Sequence, residues 1–268
     1  MARLFTYFLI LATSMLCARG AHAVDLAPLR QVITAESPHR EFTVSNSTDR
    51  ILTASASWLH LSASEDGYKP TPVNARAALA AAPWLIMTPA QFTLAPGERQ
   101  IIQISLKPGA IPPAGERRSH LLIEAGAERT PMRRTSNSGL QVDIGVGISA
   151  PVILRGAGKA DATMKDAKLL RDANGDLEIE LFVTPKKSHS TYGAIAATFK
   201  ADDDDGVGET LAFVDNVAGY PDTKRRRVSL AFGRRKLGSG VLTLRYIGTE
   251  EYAGRIFHER EFAIEPSR

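Results

Sequence analysis

The sequence feature that most limits the possible folds is a stretch of strict alternation within residues 139–152. Because the side chains of a β-strand point alternately to its two faces, apolar residues two positions apart share one face. The residues between them are polar or glycine, and Pro151 follows, so we predict a strand at the edge of a sheet, open to pairing with another chain. The alternative, an ordinary sandwich strand with its apolar face on its own core, stays open. The four apolar residues are Val142, Ile144, Val146 and Ile148.

The rest of the chain also has the pattern of an all-β protein. A hydrophobic content of 44% and a charged content of 23% are typical of globular domains. Short extended runs are separated by turn signals, among them Asn174-Gly175 between two alternating runs, which is typical of a β-hairpin. A glycine-containing break divides the chain. We therefore predict two β-sandwiches, at residues 24–155 and 160–268, joined by a linker at 156–159.

Residues 1–23 have the pattern of a cleavable signal peptide. Arg3 gives a positive start, an apolar run follows, and Ala23 completes a small-x-small cleavage pattern. This run is too short to span a bilayer and no later segment is long enough, so we expect no membrane span. The single cysteine, Cys17, lies inside this segment. We therefore expect an exported mature chain without disulfides.

No set of residues has the spacing of a catalytic or metal centre. The histidines show no metal-ligand spacing, and we expect them to be exposed or half-buried; nucleophile and phosphate-binding motifs do not occur. The acidic run 202–205 lacks the spacing of a calcium loop and predicts a solvated turn. The basic clusters 224–227 and 234–236 predict solvated strand ends, without the aromatic residues typical of nucleic-acid binding. We expect no enzymatic activity, no cofactor, no metal and no nucleic-acid partner.

Several segments of the first half together follow the pattern of one protein family. The most specific of them, 88–100, combines a Thr-Pro start with a Pro-Gly-Glu-Arg turn, and in 115–119 Arg118 replaces the second acid of the family pattern. The matching segments are 24–32, 42–46, 88–100, 115–119 and 152–155. Together they resemble the periplasmic chaperones of the chaperone–usher pathway of pilus assembly, as a divergent member. After residue 159 the resemblance consists of length and strand pattern.

The resemblance implies two immunoglobulin-like β-sandwiches at an angle, and a periplasmic chaperone that delivers pilus or fimbrial subunits to an outer-membrane usher. In this family the chaperone lends an edge strand to the subunit, which is called donor-strand complementation. Arg30 matches the arginine that anchors the terminal carboxylate of the subunit. The family's lysine position falls on Pro151, which cannot donate a side-chain hydrogen bond. The donated residues implied here are Val142, Ile144 and Val146, followed by Ile148.

Two other kinds of protein share this pattern of strands. A structural or adhesive surface protein would carry its own alternating donor segment near the mature N-terminus, but residues 24–32 contain Pro28 and Arg30 and lack that alternation. A hydrolase on a sandwich scaffold would need a catalytic set, which the sequence does not show. We therefore favour the chaperone over both.

Overall fold

The computed structural model describes residues 24–127, 146–171 and 174–265 of the chain. Nearly all regular structure in these ranges is β-strand, apart from a short helix, α1 (Val73–Leu79), and single 3-10 turns. The prediction of an all-β fold of two immunoglobulin-like sandwiches is confirmed. The signal segment 1–23, Val142 and Ile144 lie outside the described ranges. Within these ranges, no helix has the length and apolar character needed to cross a membrane.

The first half of the chain builds a sandwich of two sheets. Its strands are β1 (Val24–Ala27), β2 (Gln31–Ile33), β3 (His39–Asn46), β4 (Leu52–Leu59), β5 (Leu61–Ser64), β6 (Gly67–Pro70), β7 (Leu85–Thr88), β8 (Gln91–Leu94), β9 (Arg99–Leu106), β10 (Glu116–Ala127) and β11 (Val146–Arg155). One sheet has the order β1-β3-β9-β7 and the other the order β2-β11-β10-β4-β8. The remaining two strands, β5 and β6, form a separate antiparallel hairpin.

The core of this sandwich follows from alternation along each strand. Phe42 of β3 and Ile102 and Ile104 of β9 are fully buried, as are Leu121 of β10 and Leu154 of β11 from the facing sheet. Each fully buried side chain of this kind contributes roughly 1.5–3 kcal/mol relative to exposure. A shift of one residue in any of these strands would turn its apolar set to water, so the core fixes the register.

The second half forms another sandwich from seven strands. They are β12 (Ala162–Arg171), β13 (Leu177–Pro185), β14 (Thr191–Ala201), β15 (Glu209–Gly219), β16 (Arg226–Gly233), β17 (Gly240–Gly248) and β18 (Ile256–Ile264). The sheets have the orders β12-β13-β16 and β15-β14-β17-β18. Tyr246 is fully buried in this core, and its hydroxyl donates to the carbonyl oxygen of Val217 at 2.9 Å, so its polar end is satisfied.

The first strand of the chain is divided between the two sheets of its sandwich. β1 pairs antiparallel with β3, whereas β2 pairs parallel with β11 in the opposite sheet. Arg30 stands in the short connection between β1 and β2. The change of sheet therefore brings Arg30 beside β11, at the end of the sandwich that faces the second half.

Candidate functional site: a free strand edge and a charged cleft

Strand β11 has one flank that is only partly paired. On one side it pairs with β10 along its whole length, from Val146 opposite Ala125 to Arg155 opposite Glu116. On the other side β2 pairs only with residues 152–154. Among the described residues, 146–151 therefore have no strand on that flank. Backbone N–H and C=O groups on such an edge are a template for a strand of another chain.

The two faces of β11 differ in burial over residues 147–150. Ala150, Val152 and Leu154 are buried in the core of the first sandwich, and Ile148 is partly buried against the same core. On the opposite face, Gly147 and Ser149 are exposed. Ile148 thus lies where the apolar face passes from the domain core toward the end of the sandwich.

Arg30 lies in a cleft between the two halves and is bound from the second half. Its exposed fraction is 3%, and its guanidinium donates two hydrogen bonds to the carboxylate of Glu251, at 2.9 and 2.6 Å. A third bond, of 3.2 Å, goes to Oε2 of Glu250. The guanidinium also lies over the ring of Tyr192, 4.4 Å from its centroid. This planar two-bond pairing with a carboxylate is the strong form of an arginine ion pair.

Arg155, the last residue of β11, extends the same network. Its Nε donates to Glu116 at 3.1 Å, and its Nη1 donates to Oε1 of Glu251 at 2.7 Å. Its Nη2 reaches the carbonyl and hydroxyl oxygens of Ser190, both at 3.1 Å. Glu251 is therefore shared by two buried arginines. The end of the free edge is fixed to the second half through Arg155.

The protonation of this cleft follows from its geometry. Burial alone would raise the pKa of Glu251, but the hydrogen bond and charge of Arg30, with those of Arg155, outweigh it and lower the pKa to about 2. Burial likewise disfavours the charge of Arg30, yet Glu251 raises the pKa of its guanidinium. The network pairs two arginines with the carboxyl groups of Glu116, Glu250 and Glu251.

A second buried ion pair, between Arg118 of β10 and Asp222, joins the two halves. Arg118 donates to the carboxylate of Asp222 at 3.2 and 2.8 Å, and the same carboxylate accepts the backbone N–H of Ala63 at 2.8 Å. The guanidinium of Arg118 lies 3.8 Å from the ring centroid of Tyr220. Arg118 thus performs a pairing role between the two halves in a segment where the family pattern has an acid.

The β5-β6 hairpin forms a further contact between the halves. Glu65 in its turn accepts hydrogen bonds from Arg225 at 2.8 Å and from Arg227 at 2.7 Å, and its carbonyl accepts the Arg227 backbone N–H at 2.8 Å. The cluster at 224–227, expected to be a solvated strand end, lies at the start of β16 with Arg225 and Arg227 exposed, and these two arginines also form this contact. The sequence gives no sign of it, since an ion pair across 160 residues has no local pattern.

One histidine departs from the expectation of exposed or half-buried histidines. His120 has an exposed fraction of 1%, and neither ring nitrogen has a hydrogen-bond partner among the described residues. The ring of Tyr68 covers it edge-on, with centroids 4.8 Å apart. Burial, with the positive charge of Arg118, lowers the pKa of His120 to about 3, so it is neutral at physiological pH. Pro151 of β11 lies opposite His120 of β10.

The remaining candidates from the sequence are the acidic run, a metal site and the predicted donor residues. The acidic run 202–205 is exposed, as expected of a solvated turn. Within 24–127, 146–171 and 174–265, no group of three or more His, Cys, Asp or Glu side chains is placed to hold a metal ion. Of the predicted donor residues, Ile148 has a described side chain and Val146 a described backbone, while Val142 and Ile144 lie outside.

Comparison with known proteins finds similarity among solved structures. No protein-family model matches the chain, and no curated protein matches it. The YadV chaperone is similar with 9% identity and a TM-score of 0.45, over 91% of this chain and all (100%) of that chain. The CupB2 chaperone of Pseudomonas aeruginosa has 12% identity and a TM-score of 0.45, over 91% and 100% of the two chains. The SafB chaperone complex with SafA pilin from Salmonella enterica has 16% identity and a TM-score of 0.41, over 92% and 99%. Similarity at this level concerns the fold alone.

Proposed function

We propose that this chain is a non-enzymatic periplasmic chaperone that binds pilus or fimbrial subunits by donor-strand complementation and delivers them to an outer-membrane usher. The observation that carries the proposal is the flank of β11 at residues 146–151, which has no partner strand in the part of the chain that the structure describes and lies beside an apolar face. The signal peptide at 1–23 would bring the chain to the periplasm. The sequence resemblance of the first half supports the same function.

In this proposal the alternating residues enter the apolar groove of a subunit while the backbone of β11 extends the subunit's sheet. Each fully buried Val or Ile would contribute roughly 1.5–3 kcal/mol, in addition to the main-chain hydrogen bonds. Ile148 packs partly on the chaperone's own core, so it would lie at the boundary between that core and the subunit. The proposed donor residues are Val142, Ile144, Val146 and Ile148.

Arg30 is the proposed anchor for the terminal carboxylate of the subunit. It is buried beside the end of the free edge, and its fork already binds carboxylates of the same chain. Such a fork has the geometry that recognises a carboxylate with two parallel hydrogen bonds. Pro151 supplies no second cation, so Arg155 is the other positive charge in this cleft.

The substitution Ile144→Asp tests the proposal. A charge placed in an apolar groove is costly, so this variant should lose capture of subunits from a periplasmic extract, measured by pull-down and mass spectrometry. The matched control is Ile101→Asp, since Ile101 is an isoleucine of the same sandwich with 47% of its surface exposed. Both variants should keep the circular dichroism spectrum of the parent. Undiminished subunit capture by a folded Ile144→Asp variant would contradict the proposal.

A further inference from the structure

The two glutamates on Arg30 are held very differently. Glu251 makes two hydrogen bonds to Arg30 and one to Arg155, and its side chain is 30% exposed. Glu250 makes a single hydrogen bond of 3.2 Å to Arg30, and half of its side chain is exposed, 50%. Glu251 therefore belongs to the contact between the halves, whereas Glu250 covers the arginine from the solvent side.

The backbone of Glu250 is in a conformation that a glutamate rarely adopts. Its φ angle is +51°, in the left-handed region, at the start of the 3-10 turn Glu250–Tyr252. For a residue with a side chain this region costs on the order of 1–2 kcal/mol. Strain of this kind persists where the surrounding structure holds it, and it is common at ligand-binding positions. From this conformation the side chain of Glu250 pairs with Arg30, and its carbonyl oxygen accepts the backbone N–H of Ala253 at 3.0 Å.

Arg30 also keeps a donor that the chain does not use. Its Nε–H is buried and has no acceptor among the described residues, although the side chain is only 2% exposed. A buried unpaired donor costs free energy, and in a native structure it calls for an explanation, of which a bound water or ion is one. The Nε–H of Arg30 is thus a donor that Glu250 and Glu251 leave unfilled.

We infer that Glu250 is an internal carboxylate that an external carboxylate replaces on Arg30, while Glu251 stays bound to Arg30 and Arg155. An external carboxylate added beside Glu116, Glu250 and Glu251 would bring four carboxylates against two arginines. The external carboxylate must therefore replace Glu250 on Arg30. This inference deepens the proposed function, on which it rests for its natural ligand, the terminal carboxylate of a captured subunit. Glu250 is then the residue that lowers the affinity of Arg30 for the terminal carboxylate of the subunit.

A titration with acetate tests this inference without any subunit. Acetate and, as the uncharged control, acetamide are added to the full-length mature protein while NMR follows the arginine side-chain signals. Acetate should shift the Arg30 signal and acetamide should not. Glu250→Gln should bind acetate at least about threefold more tightly, because the competing charge is gone. Glu250→Gly, which also relieves the positive φ, should show the same gain.

The matched control is Glu259→Gln, which removes an exposed glutamate of the same half that pairs with Arg245, away from the cleft. Its acetate affinity should equal that of the parent. Equal affinities of the parent and both Glu250 variants, or no acetate-specific shift at Arg30, would overturn the inference. An equal gain in Glu251→Gln would also overturn it, because Glu251 would then be the displaced group. Subunit capture plays no part in this titration, so the result separates the inference from the proposed function.

Discussion

Arg155 is the residue on which charges from both halves converge. It binds Glu116, whose side chain is 2% exposed, together with Glu251 and Ser190. Arg155→Ala would leave Glu116 as a buried carboxylate without its cation, which should lower the free energy of unfolding by about 3–5 kcal/mol. Urea denaturation followed by circular dichroism measures this change.

The control for Arg155 is an arginine in an exposed pair. Arg245 binds Glu259 with side chains 50% and 38% exposed, so Arg245→Ala should change the free energy of unfolding by less than about 1 kcal/mol. A similar loss in both variants would show that the buried network adds nothing beyond an ordinary surface pair.

His120 makes the stability of the fold depend on pH. Its pKa falls from an ordinary value of 6.5 to about 3, so the folded state binds fewer protons than the unfolded state between these values. The stability that neutral His120 provides is therefore complete above pH 6.5 and declines as the pH falls toward 3. From pH 7 to pH 5 the parent should lose about 2 kcal/mol more than His120→Phe, in which this titration is absent.

Urea denaturation at the two pH values measures this difference for His120. Phenylalanine keeps an aromatic ring against Tyr68, and the other histidines are present in both proteins, so their contributions cancel. Equal losses in the parent and the variant would mean that His120 can be protonated in the folded state.

At the residue scale the sequence indicates Arg30 but not its partners. Arg30 stands out through the family resemblance of the first strand, whereas Glu250 and Glu251 lie 220 and 221 residues away. No periodicity or spacing connects residues at that separation, because their contact is created by the packing of two separate sandwiches. The burial of His120 escapes the sequence for the same reason, since Tyr68 of the hairpin covers it.

At the element scale the β5-β6 hairpin and the segment after β15 are joined through Asp222. This carboxylate binds Arg118 and the backbone of Ala63, and the side chains of the ion pair are only 5% and 10% exposed. Asp222→Ala should lower the free energy of unfolding by about 3 kcal/mol or more, because Arg118 is left buried and unpaired.

Thermal and urea unfolding measure the effect of Asp222→Ala. The control is Asp66→Ala in the same hairpin, which removes a 73% exposed partner of Arg227 and should cost less than about 1 kcal/mol. If Asp222→Ala cost no more than this control, the hairpin contact would not depend on its buried pair.

The alternation of apolar residues predicts where the strands lie, but it does not predict which strands pair with each other. The apolar positions of β11 and the hairpin joining β12 to β13 agree with the sequence, because period 2 and the Asn174-Gly175 turn are local signals. The sequence does not indicate that β2 covers β11 only at residues 152–154. That coverage depends on where the first strand changes sheet, which is a property of the whole sandwich. Within the described ranges the edge is therefore unpaired over 146–151 and paired with β2 at 152–154.

At the scale of the whole molecule, buried and half-exposed ion pairs among the described residues connect the two sandwiches at three places. These are the Arg30–Arg155 cleft, the Arg118–Asp222 pair and the hairpin at Glu65. An ion pair forms only between particular side chains, whereas apolar surfaces can also pack in shifted positions. Such ion pairs therefore fix one arrangement of the halves. Strand β11 and Arg30 are thereby held next to each other, because Glu251 binds both Arg30 and Arg155.

The most direct test of the free edge is hydrogen exchange of the β11 amides, with and without the subunit that pull-down identifies. Amides of residues 146–150 that face the open flank should exchange at least on the order of tenfold more slowly in the complex, because a subunit strand then accepts their hydrogen bonds. Amides of residues 152–154, already beside β2, should change little. A complex that elutes as one species while the amides of 146–150 exchange at their original rates would contradict donation of this edge.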